Sequence, residues 1–257
     1  MEKGTAMTKW MLFGLAVLGV SAAQAADVQA TLQWAQRVEL STPVSGVVQS
    51  VSVDAGQRVE QGQELLALDN KLYHARAAES AAAVMRLKED AAEAGRNLER
   101  VQELYNRTVI STSELDQAKL RDARARAMLA EGQAHLQQSQ KNFDDTVLRA
   151  PFDAVVLVRQ AEPGQAVAAG LQPQVLLVVA RAGEMLARAR LDAAQVGRVR
   201  VGLAATVNVG GKSYSGRVKA VGMEPVAASD GPLYPVDVLF PVREPLRAGV
   251  AATVRLP

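Results

Sequence analysis

Pro43-Val-Ser-Gly46-Val-Val-Gln-Ser-Val51-Ser-Val53-Asp-Ala-Gly56-Gln57-Arg-Val59-Glu-Gln-Gly62 is followed far downstream by Pro151-Phe-Asp-Ala154-Val-Val-Leu-Val158-Arg-Gln-Ala161-Glu-Pro-Gly164-Gln165-Ala-Val167-Ala-Ala-Gly170. The two stretches align without a gap. Pro43 falls on Pro151, Gly56-Gln57 on Gly164-Gln165, Val59 on Val167 and Gly62 on Gly170. Each copy consists of short apolar runs with period-2 character, broken at glycine, and so reads as strands joined by tight turns. In the shared Gly-Gln-x-Val-x-x-Gly, the first Gly admits a positive φ, the Val faces a small core and the second Gly closes the next turn. One copy is too short to bury a core by itself. Two copies facing each other are not, although about 80 residues of different character separate them. The chain is therefore expected to leave a half-built β-unit, make an excursion and return to complete it.

The excursion reads as helix. From Lys71 to about Arg107 there is no Pro and one Gly, with many Ala, Glu, Arg and Leu. Apolar and small residues recur in alternating steps of four and three at Tyr73, Ala77, Ser80, Val84, Leu87, Ala91, Ala94, Leu98, Val101 and Tyr105, which is a heptad seam. A second segment, Thr112 to Asp145, repeats the pattern at Leu115, Ala118, Asp122, Ala125, Leu129, Gly132, Leu136, Ser139 and Phe143. Between them, Ser111 or Thr112 followed by Glu114 has the form of a helix N-cap. The spacing predicts two antiparallel helices, each roughly 50 Å long at 1.5 Å per residue. Their thin seam cannot found a globular domain, so the pair is expected to project as an arm.

The surrounding sequence bounds the function class. The 257 residues include 49% hydrophobic but only 4% aromatic residues, so the cores are built from Ala, Val and Leu. A formal net charge of +2 argues against a dedicated nucleic-acid binder. Lys3 and Lys9, the apolar run Trp10 to Val20 and Ala23-Gln24-Ala25 have the layout of a cleaved secretory signal over residues 1–25. The absence of Cys excludes both a disulfide-stapled scaffold and a lipid-modified cysteine. The mature chain is expected to be soluble and exported, beginning near Ala26. After Glu184, a strand at Met185 to Leu191, a short helix capped by Asp192, and further strands at 202–209, 214–221, 234–240 and 251–256 suggest a small barrel.

Catalytic and metal-binding patterns are missing. His74 and His135 both fall on the helices without a nucleophile pattern, and Met85, Met128, Met185 and Met223 are scattered, which reads as packing. Gly210-Gly211-Lys212-Ser213 lacks the spacing of a phosphate loop and is expected to be a hairpin turn. No cofactor and no enzymatic activity are expected.

Arg100-Val-Gln-Glu-Leu104-Tyr-Asn-Arg-Thr-Val-Ile-Ser111 stands where the helices turn. A split repeat, an inserted helical hairpin and Arg-x3-Leu-x6-Ser at its turn together resemble the periplasmic adaptor subunits of tripartite efflux systems, the membrane fusion proteins of the HlyD/RND class. The resemblance covers about residues 30–257. It implies a mixed α and β, elongated multi-domain chain: a signal peptide (1–25), a lead strand (26–42), a split lipoyl-like β-sandwich (43–69 plus 147–181), an inserted antiparallel α-helical hairpin (70–146) and a small β-barrel (182–257). It implies that Arg100, Leu104 and Ser111 contact a TolC-type outer-membrane channel, that an RND-type inner-membrane transporter is the other partner, and that the chain forms a hexameric ring. Two departures accompany it: Ala154 stands where the family has Gly, and Val250 where Met usually follows Gly249. The chain also stops at Pro257 without a fourth, membrane-proximal domain, so docking on the transporter is expected to fall to the barrel and sandwich. The alternatives are an adaptor of an ABC-type exporter and a lipoyl- or biotinyl-carrier protein. Against a carrier, the sequence enters the helical arm at Asp69-Asn70-Lys71, where carriers present a lysine on a β-hairpin, and Lys71 lacks a flanking Met.

Overall fold

The computed structural model describes residues 27–170, 172–228, 231–244 and 246–257. The expected signal segment lies outside them. In chain order the elements begin with β1 (Asp27–Trp34) and β2 (Arg37–Leu40), and the first copy supplies β3 (Gly46–Val51), β4 (Arg58–Val59) and β5 (Glu64–Leu68). Two helices follow, α1 (Lys71–Asn106) and α2 (Thr112–Asp144). The chain returns through β6 (Val147–Arg149), and the second copy supplies β7 (Ala154–Arg159) and β8 (Ala166–Val167), followed by β9 (Leu177–Arg181). Beyond these lie β10 (Glu184–Leu191), α3 (Ala193–Val196), β11 (Ala204–Val209), β12 (Lys212–Val221), β13 (Val226–Ala228), β14 (Gly231–Pro241) and β15 (Ala251–Arg255). The fold class is the expected one, a split β-sandwich with an inserted helical hairpin and a small barrel. Two compact units result, one of them holding Gln33–Leu186 with Pro241–Ala248.

In that unit, two four-stranded sheets run in the orders β2-β9-β7-β4 and β6-β5-β3-β8. The copies exchange strands. The short β4 of the first copy pairs with β7 of the second, matching Arg58 to Val155 and Val59 to Ala154. The short β8 of the second copy pairs with β3 of the first, matching Val47 to Ala166 and Gly46 to Val167. These pairings are the same contact made twice under the sequence alignment. The turns obey the same symmetry. Gly56 N–H donates to Val156 O at 2.7 Å and Gly164 N–H to Val48 O at 2.8 Å. Both glycines take the expected positive φ, +89° and +87°. The spacing of Gln shared by the two copies is explained too, because Gln57 Oε1 accepts from Asp54 N–H and Gln165 Oε1 from Glu162 N–H, each at 3.0 Å. The copies differ at the second glycine: Gly62 has a φ of +82°, whereas Gly170 is not among the positive-φ residues.

The exchange also divides the core. One cluster joins Phe152, Ala154 and Val156 of the second copy to Val53 and Val59 of the first. The other joins Val44 and Val48 of the first to Ala161 and Val167 of the second. Val59 and Val167 are both buried, as expected. Each such side chain contributes about 1.5–3 kcal/mol on leaving water, and none finds its cluster within its own copy alone. Ala154 is fully buried at the start of β7, so the methyl that replaces the family's Gly is packed in this core.

The helices pack antiparallel with Ser80 and Ser139 hydroxyls 2.9 Å apart and Gly132 opposite Leu87 and Val84. Every expected seam residue is buried or half-buried except Tyr105, which is exposed. The four-three rhythm ends one residue early because α1 closes into its C-cap there, and Leu104 takes the half-buried position. Asp122 sits in the seam and is compensated by Arg126 Nε at 2.8 Å, whose own side chain is exposed. The base of the arm is fixed to the sandwich: Tyr73 Oη donates to Ser45 O at 2.7 Å, and Tyr73 packs on the second cluster.

The other unit is a barrel. The strand order β10-β1-β15-β11-β12-β14, closed by pairing of β10 with β14, leaves β13 as an appended hairpin strand. Buried Val236, Val238 and Phe240 alternate along β14, as period-2 geometry requires. Arg188 and Asp237 make a bidentate pair at 2.7 and 2.8 Å between β10 and β14. The hydrogen bonds to Asp237 hold the Arg188 guanidinium even more firmly charged than usual. Gly210 and Gly211, both at positive φ, form the β11–β12 hairpin turn in place of a phosphate loop. Of the methionines expected to pack, Met185 is fully buried, but Met85 and Met128, which lie off the seam, and Met223, in the connection between β12 and β13, are exposed.

Gly95→Ala should stabilise the hairpin by about 1 kcal/mol through helix propensity, because the added Cβ meets only Asp122 Oδ1, at 3.6 Å. Gly216→Ala should destabilise the barrel by about 1–3 kcal/mol, because its Cβ would lie 2.8 Å from Leu239 O and 2.9 Å from Val238 Cγ1. Urea unfolding of the two variants should show midpoints displaced in opposite directions.

Candidate docking site at the hairpin tip

The tip is a short turn pinned from both sides. On the α1 side, Thr108 N–H donates to Tyr105 O at 2.8 Å and Val109 N–H to Leu104 O at 3.0 Å. With Arg107 as C-cap, this is the Schellman arrangement, which satisfies carbonyls that the helix end leaves open. Its left-handed position is normally Gly. Here Thr108 fills it at φ +62°, the one positive-φ non-glycine among the described residues. A β-branched residue in this region is strained by roughly 1–3 kcal/mol.

On the α2 side, Ser111 is the N-cap and closes a reciprocal capping box. Its Oγ accepts from Glu114 N–H at 3.3 Å, while Glu114 Oε2 accepts from Ser111 N–H at 2.9 Å and from Ser111 Oγ–H at 3.1 Å. The Ser111 backbone N–H and then its hydroxyl hold the Glu114 carboxyl below the ordinary glutamate value.

The three expected site residues fall at this end of the arm. Arg100 and Leu104 lie four residues apart, and so on one face of α1. Arg100 is exposed, Leu104 half-buried, and Ser111 exposed. The Ser111 hydroxyl is thus already committed to the turn. Two residues that the sequence reading did not assign to the tip site stand out: Val109, 65% exposed, and Tyr105, expected in the seam but 37% exposed. Thr108 hid the C-terminal cap because no Gly marks it. Lys71 lies at the first position of α1, directly after β5, so the carrier hairpin has no counterpart there. His74 is exposed and meets Phe143 edge-on at 5.6 Å, and His135 is exposed as well. Among the described residues no group of His, Asp or Glu is gathered as metal ligands, and no helix is long and apolar enough to cross a membrane.

A sandwich built from two exchanged copies and opened by a helical hairpin rooted in it is the architecture of a barrel-sandwich hybrid domain. Residues 36–181 match the CzcB-like, barrel-sandwich hybrid domain, and the chain belongs to that family. It is 27% identical over 216 residues to the macrolide export protein MacA of Yersinia pestis, covering 77% of this chain and 58% of that one. The chain thus spans little more than half the length of this relative. Among solved structures it is similar to a MacA–MexA chimera carrying the α-hairpin of Pseudomonas aeruginosa MexA, with a TM-score of 0.68 and 20% identity over 90% of this chain and 80% of that one. It is likewise similar to the membrane fusion protein Spr0693 of Streptococcus pneumoniae R6, with a TM-score of 0.68 and 15% identity over 91% and 99%.

The lowered Glu114 value gives the tip a pH dependence with a definite sign. A carboxylate with a depressed folded pKa contributes stability that is fully present above its unfolded value and is lost as pH falls through the folded one. Protection of the Ser111 amide against hydrogen exchange should therefore fall on acidification below the ordinary glutamate range (about 4.3). Glu114→Gln should flatten that dependence.

Proposed function

We propose that this chain is a non-enzymatic periplasmic adaptor of an efflux system, bridging an inner-membrane transporter to a TolC-type outer-membrane channel. The observation that carries the reading is the pinned hairpin end, with Arg100 and Leu104 on one face of a helix rooted in the sandwich. Helices of 36 and 33 residues span roughly 50 Å, a useful reach across an aqueous compartment. The arm transmits position, and side chains at its end supply docking specificity. Export in this relationship is supported by the macrolide export protein among its relatives. The Lys3 to Ala25 pattern supports delivery to the periplasm. A ring of six copies would arrange the hairpins as a tube, with the barrel and sandwich domains at the transporter side.

Leu104→Asp, introduced at the native locus, should reduce efflux-dependent resistance to the level of a deletion, while the purified variant keeps the circular dichroism spectrum of the unsubstituted chain. Unchanged resistance would sink the tip assignment. Crosslinking in envelope membranes followed by purification would identify the inner-membrane partner and so decide between an RND and an ABC transporter.

A further inference from the structure

We infer that Val109 is the side chain through which the tip recognises the channel, and that Ser111 is a positioning residue that holds Val109 in place without contacting the partner. The inference rests on the bridging reading above and deepens it.

A single exposed Val on a surface ordinarily needs no explanation. Val109 differs because its backbone is held on both sides. Before it, the Schellman bonds from Thr108 and Val109 to Tyr105 and Leu104 fix the exit from α1. After it, the Ser111–Glu114 box fixes the entry to α2. Between these fixed points the chain carries Thr108 in a strained conformation and turns a side chain 65% exposed to solvent. A branched apolar group on a rigid turn loses little conformational freedom on binding, so its burial goes mostly to affinity.

Ser111 has the opposite character. The one proton of its hydroxyl is donated to Glu114 Oε2, and one of its two lone pairs accepts from Glu114 N–H, inside the turn. A hydroxyl so engaged has no proton left to donate to a partner, whereas its loss releases the turn that presents Val109. Arg100 and Arg107 complete the surface. Both are exposed, and among the described residues neither has an ion-pair partner. The fitting surface on the channel is therefore a cleft lined by aliphatic side chains that admits an isopropyl group, with carboxylate or carbonyl acceptors at its rim for the two guanidinium groups.

The test uses the full chain and the purified TolC-type channel of the same organism, immobilised in detergent, with dissociation constants read by interferometry and folding by thermal melts. Val109→Ser should weaken binding roughly tenfold without moving the melt. Ser111→Ala should weaken it about fivefold, the effect of a lost cap. Ser111→Asn, an equally good cap of different shape, should return affinity to within about twofold of the unsubstituted chain. Two results overturn the inference: an Asn variant as weak as the Ala variant, which would make the hydroxyl itself the contact, or full affinity in Val109→Ser. Failure of the unsubstituted chain to bind the channel would instead remove the bridging reading, and this inference with it.

Discussion

Everything in the sandwich unit depends on a two-residue strand pairing made twice. Val59 against Ala154 and Gly46 against Val167 are the same contact under the repeat alignment. Each places a valine of one copy in a cluster built by the other. A copy by itself would keep its turn hydrogen bonds within Asp54–Gln57 or Glu162–Gln165 but would leave its apolar face in water. Burial of apolar area is the dominant favourable term in folding, so the fold is enforced by mutual completion rather than by either half.

That constraint explains how a long insertion is tolerated. The helical excursion leaves after β5 and returns into β6, which pair with each other through Leu66–Leu148 and Ala67–Val147. Its two ends are therefore neighbours in one sheet, and closure of the loop is fixed by strand pairing whatever the arm's length. The arm in turn is stabilised by a seam of small residues, in which only Ala77, Leu115, Ala118, Asp122 and Gly132 are fully buried. Such a seam supports a close helical pair and little else. The exacting chemistry collects at the two ends, in the Tyr73 anchor at the base and the doubly capped turn at the tip.

The parts legible in sequence were those written in local rules. The Ser111–Glu114 and Asp192–Gln195 capping boxes each follow from residues three apart, and the heptad rhythm located the facing residues of both helices. Where the rules were broken, the reading failed. Thr108 in a glycine position concealed the Schellman cap, and the same early closure moved Tyr105 out of the seam. The lead segment 26–42 carried no signal that it would divide, with β1 entering the barrel and β2 the sandwich. The three-residue β13 was too short to register.

By itself the sequence determined the repeat, the two helices, their register and the turn between them, because period, propensity and capping act over a few residues and are written in adjacent letters. Only the tertiary structure decided which short strand completes which sheet, that Arg188 on β10 would meet Asp237 on β14, and that Val109 stands exposed at the tip. Those outcomes are set by burial and by hydrogen bonds between distant segments, and no local pattern encodes which distant surface a residue will meet.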